Sequence, residues 1–441
     1  TERCGAVIAE CLWEAGVPRE VLRLIQVGED ELGATLVGDP RLDRVILTGA
    51  FETAELFRSF RTDLPLLAET SGKNAIIVTP SADLDLAVKD VVASAFGHAG
   101  QKCSAASLVV LVGSVATSRR FRTQLLDAVS SLTVGYPTEA ATQMGPIIEP
   151  ASGKLRDGLT TLGAGERWLI EPRALDDSGR LWSPGVRGGV RRGSAYHRTE
   201  YFGPILGIMT AATLTEAIAL VNDVDYGLTS GLHSLDAAEI GEWLGTIAAG
   251  NLYVNRGITG AIVQRQPFGG WKRSAVGAGA KAGGPNYLVG LGSWRSREAT
   301  ASTAVTTPAV SALVAAARRD LTQQEAARVE RAARSDGEAW RLQFGVAEDV
   351  SQLPVERNVF RYLPLDRPVL VRLDAAAPVA DLVRVVAAGA LTGTAIVASS
   401  GRDLPLAVEA ALRGCAQEVV VEDEAAWGAR VVRHGAGRVR L

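Results

Sequence analysis

The sequence predicts an α/β fold on three observations. Short β-rich runs alternate with helical ones from the first residues. Glycine-bearing turns join them, and the chain is 47% apolar and 22% charged over 441 residues, a balance suited to two or three buried cores. Such alternation builds right-handed βαβ units on a parallel sheet.

The first series runs helix Arg3 to Glu14, strand Leu22 to Val27, helix Glu29 to Val37, strand Arg44 to Leu47 and helix Phe51 to Phe60. A second has strand Ala75 to Val78, helix Leu84 to Phe96, strand Leu108 to Val112 and helix Ala116 to Leu132. Strands Ile205 to Met209 and Leu252 to Val254 follow, with helices Leu214 to Asn222 and Ala237 to Ile247 between them. Between Arg297 and Ala317 the composition shifts to Ala, Ser, Thr and Val, which reads as a linker into a helix and a boundary near residue 300. Beyond it a charged amphipathic helix, Val314 to Arg334, precedes strand Val369 to Leu373, helix Ala380 to Ala388, strand Ala395 to Ala398, helix Leu404 to Arg413 and strand Glu418 to Val421. This tail reads as a separate small α/β domain.

A net charge of −3 from 46 basic and 49 acidic residues offers no field for nucleic acid or an anionic membrane, so a small-molecule partner is expected. Cys103 to Ser118 is uncharged but interrupted by serines, and falls short of a membrane span. Cys4, Cys11, Cys103 and Cys415 form no C-x-x-C pair, and His98, His197, His233 and His434 show no ligand spacing, so neither a disulfide framework nor a metal is expected. Four thiols fit a reducing cytoplasm. Helical periodicity begins almost at Thr1 without a basic and apolar leader, so the start reads as cut rather than processed.

Five motifs carry chemistry. Leu47-Thr48-Gly49-Ala50-Phe51-Glu52-Thr53-Ala54 ends a strand in glycine and opens a helix, whose first amides suit an anion such as a pyrophosphate. Ala68-Glu69-Thr70-Ser71-Gly72-Lys73-Asn74 lies on a turn between two apolar strands. Gly97-His98-Ala99-Gly100-Gln101-Lys102-Cys103-Ser104 feeds the strand at Leu108. Thr199-Glu200-Tyr201-Phe202-Gly203-Pro204 and Gln266-Pro267-Phe268-Gly269-Gly270-Trp271-Lys272-Arg273-Ser274 complete the set. Taken singly, each is compatible with an ordinary turn or a small core residue.

Together and in this order they resemble the aldehyde dehydrogenase superfamily, as does the 34-residue separation of Glu69 from Cys103 (103 − 69). The resemblance implies an aldehyde dehydrogenase fold, with a Rossmann-like cofactor domain that is incomplete here, an α/β catalytic domain and a carboxy-terminal α/β domain. It makes Cys103 the nucleophile, since a thiolate readily forms the tetrahedral adduct that hydride departure requires. It makes Glu69 the base that activates water against the resulting thioester. The cofactor is then NAD, with Thr48, Gly49 and Ala50 at the pyrophosphate and Glu200 and Phe202 at the nicotinamide ribose and ring.

Two passages narrow the substrate. Asn255-Arg256-Gly257-Ile258-Thr259-Gly260-Ala261-Ile262-Val263-Gln264-Arg265-Gln266-Pro267-Phe268-Gly269-Gly270 resembles the aldehyde-anchor loop of glutamate-γ-semialdehyde (1-pyrroline-5-carboxylate) dehydrogenases, and Lys281-Ala282-Gly283-Gly284-Pro285-Asn286-Tyr287-Leu288 resembles their next segment. By that likeness Gly260, Ala261 and Ser104 hold the substrate's α-carboxylate, with Phe268 beside the substrate. Leu181-Trp182-Ser183-Pro184-Gly185-Val186 and Leu353-Pro354-Val355-Glu356-Arg357-Asn358 resemble the bacterial bifunctional proline-utilisation enzymes, in which a flavin-containing proline dehydrogenase precedes the aldehyde dehydrogenase. That implies the second step of proline catabolism, a proline dehydrogenase upstream and a homo-oligomer.

The implied domains are 1–70, the remainder of an NAD-binding domain; 71–270, catalytic; 271–300, a return segment; 301–312, a linker; and 313–441, an aldehyde-dehydrogenase-like α/β domain in which Cys415 is structural. The family's oxyanion asparagine and adenosine-ribose lysine are expected before Thr1, and Ala54 and Ala275 replace common glycines. An exposed sheet edge and weak NAD binding are expected in turn. The alternatives are an NAD(P)-dependent dehydrogenase of another aldehyde, and a catalytically incompetent fragment with a structural role.

Overall fold

Strands Ala75–Val78 and Leu108–Val112 are unbroken apolar runs, and every residue of both is buried. They lie inside a seven-stranded sheet of order Asn251–Val254, Thr229–His233, Ala75–Val78, Leu108–Val112, Ile205–Ala211, Gly185–Gly188, Arg167–Ile170. All neighbours are parallel except the last pair. Helices Leu84–Phe96 and Arg119–Ser130 pack on one face, and Leu214–Asn222 and Ala237–Thr246 contribute to the other core layer. A smaller sheet pairs Val45–Thr48 in parallel with Leu66–Glu69, which Ala275–Val276 joins antiparallel. Val45–Thr48 is an edge of this sheet among the described residues, with Ile46 56% exposed.

This computed structural model describes residues 2–440 apart from 29, 264, 278–280, 294, 296–306, 366 and 435–437. The chain divides into two units, Thr1–Leu291 and Gly292–Leu441. The second holds a parallel sheet of order Glu418–Val421, Ile396–Ser400, Val369–Leu373, Arg438–Arg440. Helices Pro308–Asp320, Gln323–Ala339, Val379–Thr392 and Leu406–Arg413 share its main core. Of the expected linker, 301–306 lie outside the described residues, and Thr307 caps the helix Pro308–Asp320 by accepting from the Val310 amide at 3.3 Å. Cys415 Sγ lies 3.6 Å from the Ala309 carbonyl.

Several expectations are corrected. Leu22 to Val27 is not a strand: its turn and irregular backbone finds no ladder partner among the described residues, and Leu24, Ile25 and Val27 are exposed. The single helix Val314 to Arg334 is two, because Thr322 starts a new one with a reciprocal capping box to Glu325. Ala116 to Leu132 breaks likewise at Ser118, whose hydroxyl accepts from the Phe121 amide. Strands Thr229–His233 and Gly185–Gly188 escaped the sequence reading because small and polar residues replace the apolar pattern. Gly231 must be small, since a Cβ there would lie 2.7 Å from Ile258. No helix among the described residues is long and apolar enough to cross a membrane.

Candidate active site

Glu69 ends strand Leu66–Glu69, paired with Thr48 on one side and Ala275 on the other. Its backbone carbonyl accepts from the Gly49 amide at 3.2 Å, and its Oε2 accepts from the Gly270 amide at 3.2 Å. The chain then crosses from the small sheet to the large one along a buried stretch, Thr70 to Asn74, with Gly72 and Lys73 inside it. Two bonds to Ser274 hold this crossing: the Thr70 amide donates to Ser274 O at 3.0 Å, and the Ser274 hydroxyl donates to Ser71 O at 2.7 Å. Ser71 Oγ accepts from the Phe51 amide at 3.4 Å, which ties it to the first turn of helix Phe51–Phe60. The N-cap of that helix is Ala50, whose methyl makes no cap hydrogen bond to the first turn.

Asn74 links this crossing to the cysteine loop. Its Nδ2 donates to the carbonyls of Cys103 at 2.7 Å and Ala105 at 3.0 Å, and its Oδ1 accepts from the Thr229 amide at 3.0 Å. A buried polar side chain must be satisfied, and here its bonds set the height of Cys103 above the sheet. Before Cys103 the backbone passes through left-handed conformations at His98, Ala99 and Gly100, with φ of 56°, 52° and 68°. Gly100 is required, because a Cβ would collide with the carbonyl of Gly203. Gln101 completes the docking of the two loops, donating from Nε2 to Phe202 O at 3.2 Å while its Oε1 accepts from the Ile148 amide at 2.8 Å.

On the facing loop Glu200 Oε1 accepts from the Gly72 amide at 2.9 Å, and Phe202 has a φ of 55°, costly for a non-glycine residue and characteristic of functional loops. Beneath lies a cluster the sequence reading missed. Lys73 Nζ is buried without a hydrogen-bond partner, 3.9 Å from the Tyr196 ring centroid and 5.4 Å from that of Tyr201. The two rings stack at 5.1 Å, and Arg187 covers Tyr196 at 4.1 Å while pairing with Glu166 at 2.8 Å. The last polar residue before a fully apolar strand, as Asn74 is, was the available signal for Asn74; the aromatic cage around Lys73 had none.

Electrostatics fit a thiol and a base. Burial pushes Glu69 up to about 7, against the pull of the Gly270 amide and the Lys281 charge. Burial also raises the Cys103 thiol, the Ser104 amide opposes this, and the carboxylates of Glu200 and Glu69 add to the rise. Glu200 is raised by burial and drawn back by Gly72, Ser71, Lys154 and Lys73.

The structure thus brings together Thr48, Gly49, Ala50, Glu69, Cys103, Glu200 and Phe202 through shared strands and bonds. Ser104 is buried beside Cys103, its carbonyl accepting from Thr229 Oγ1 at 3.3 Å. Phe268 is bridged to Ala282 by backbone bonds of 2.9 and 2.7 Å. Gly260, at a φ of 82°, and Ala261 are exposed, and among the described residues neither hydrogen-bonds to Cys103 or Ser104.

Comparison with known proteins shows what the chain is similar to. The model of the aldehyde dehydrogenase family matches residues 1–290. A protein of Bacillus cytotoxicus named 1-pyrroline-5-carboxylate dehydrogenase is 37% identical over 294 residues, 65% of this chain and 56% of that one. The solved structure of proline utilization A from Corynebacterium freiburgense is 46% identical, with a TM-score of 0.84, over 96% of this chain and 43% of its own. A 1-pyrroline-5-carboxylate dehydrogenase from Thermus, solved with bound NAD, is 34% identical with a TM-score of 0.60, over 66% of this chain and 57% of its own. The chain spans about half the length of the curated relatives it matches.

Proposed function

The chain belongs to the aldehyde dehydrogenase family, and from that premise we propose that it acts in the NAD-dependent oxidation of L-glutamate γ-semialdehyde to L-glutamate. The observation that carries this reading is the convergence of Cys103 and Glu69, joined through Gly72 and Asn74, with the Glu69 carboxylate close enough to raise the Cys103 thiol. The names of its relatives supply the substrate.

Cys103 is the nucleophile. Its sulfur attacks the aldehyde carbon once the thiol proton has left, and the Ser104 amide favours the thiolate. The residues fit NAD: the uncapped helix start at Ala50 suits a pyrophosphate, and Glu200, fixed by Gly72, offers a carboxylate to ribose hydroxyls with Phe202 beside it. When bound, NAD supplies the hydride acceptor. The acyl group then stays on Cys103 as a thioester. Glu69, as carboxylate, takes a proton from water, whose oxygen attacks the acyl carbon and expels the Cys103 thiolate. Ser104, Gly260, Ala261 and Phe268 are assigned to the substrate, with the exposed amides at 260–261 reserved for its α-carboxylate.

Within this reading, 1–70 is the remainder of the NAD-binding domain, 71–270 catalytic, 271–300 a return segment to the cofactor and oligomerisation region, 301–312 a linker and 313–441 the separate α/β domain. The reading includes a role in proline catabolism, an upstream proline dehydrogenase, a homo-oligomeric state and a cytoplasmic location. The test is a substrate panel: NADH formation fastest with glutamate γ-semialdehyde supports the assignment, and equal rates with uncharged aldehydes favour a broader dehydrogenase.

A further inference from the structure

The turn that meets Glu69 is itself held by a cation. Lys281 Nζ donates to Gly250 O at 2.7 Å, Gly269 O at 2.6 Å and Asn251 Oδ1 at 3.1 Å. Asn251 also grips the turn, its Oδ1 accepting from the Gly269 amide at 3.1 Å and its Nδ2 donating to Pro267 O at 3.0 Å. Gly269 is the meeting point: a Cβ there would lie 2.8 Å from Glu69 Oε1 and 3.1 Å from Lys281 Cγ. The carboxylate and the lysine stem therefore occupy the same side of one glycine. The next residue, Gly270, gives its amide to Glu69.

We propose that Lys281 is a positioning residue for Glu69, fixing the Gly269–Gly270 turn so that the Gly270 amide meets the carboxylate, and placing a partly buried cation beside it. This rests on the reading of Glu69 as the general base. The titratable groups facing Glu69 are Lys281 and, across the site, Cys103. The thiol carries no positive charge, so Lys281 is the cation that favours the ionised base. Burial brings the ammonium down to about 8, and the Glu69 charge opposes that fall, so the two groups support each other's ionised forms.

The test compares Lys281→Gln, which keeps a donor without the charge, with Lys281→Arg, which keeps the charge. Infrared titration of the Glu69 carboxyl, isolated by difference from Glu69→Gln, is read without substrate. NADH burst and steady-state rates are then read with glutamate γ-semialdehyde. Lys281→Gln is expected to move the carboxyl midpoint up by about one unit and, by lowering the ionised fraction, to cut the neutral-pH steady state about fivefold with the burst retained. Lys281→Arg should return both toward the native values. An unmoved midpoint, or burst and steady state falling by one factor, overturns the proposal. A native protein that forms no NADH from glutamate γ-semialdehyde overturns the functional reading instead, and the infrared shift tells the two failures apart.

Discussion

The Gly72 amide donates to Glu200 Oε1 at 2.9 Å, joining residues 128 positions apart and tying the two motifs into one wall of the site. Glutamine can accept the same bond, so Glu200→Gln should leave the melting temperature nearly unchanged. It removes a charged acceptor from ribose hydroxyls, and charge-assisted bonds contribute about 1.5–3 kcal/mol. The KM for NAD is therefore expected to rise roughly tenfold or more, measured at saturating aldehyde.

The pH dependence of stability follows from Glu69. Its folded-state value of about 7 lies above the ordinary 4.5, so between those limits the folded protein holds a proton that the unfolded chain has released. Stability is lost as pH rises through that window, and the full cost persists above it. Glu69→Gln should raise stability by about 1–3 kcal/mol at pH near 8 and leave it unchanged near pH 4, read from thermal melts. With Glu69 as the proposed base, the same titration predicts a hydrolytic rate that climbs with pH through about 7, read from steady-state NADH formation.

The buried pair of Arg187 and Glu166, with side chains 2% and 1% exposed, supports the stacked tyrosines under Glu200. Glu166→Gln leaves a buried guanidinium without its counter-charge, at a cost of about 3–5 kcal/mol. A melting temperature within a degree of the native value would contradict that role.

Gly260 stands at a φ of 82° in open space, so its backbone, rather than any neighbour, forbids a side chain. If its loop receives an α-carboxylate, two charge-assisted bonds of about 1.5–3 kcal/mol each give a preference over pentanal of roughly a hundredfold or more. Gly260→Val should erase most of that preference in kcat/KM without abolishing oxidation of pentanal.

The segments around Cys103 and Glu69 were legible because each is a compact motif next to an apolar strand, Glu69 at the end of Leu66–Glu69 and Cys103 in the loop before Leu108–Val112. The sequence could not reveal Lys281's grip on Gly250 and Gly269, or Lys73 against Tyr196, because these contacts depend on long-range packing. Strands with continuous apolar faces, such as Ala75–Val78, were readable, whereas Thr229–His233 owes its place to Gly231 fitting under Ile258. The strand expected at Leu22 to Val27 shows the converse: β-rich composition without a partner to complete the ladder.

The most direct measurement of the central claim is peptide mass mapping of Glu69→Gln after reaction with glutamate γ-semialdehyde and NAD, with Cys103→Ala as control. The account predicts an NADH burst accompanied by a glutamyl thioester on the Cys103 peptide, and neither in Cys103→Ala, whose NAD binding persists. NADH formation with Cys103 unmodified, or undiminished oxidation by Cys103→Ala, would contradict it.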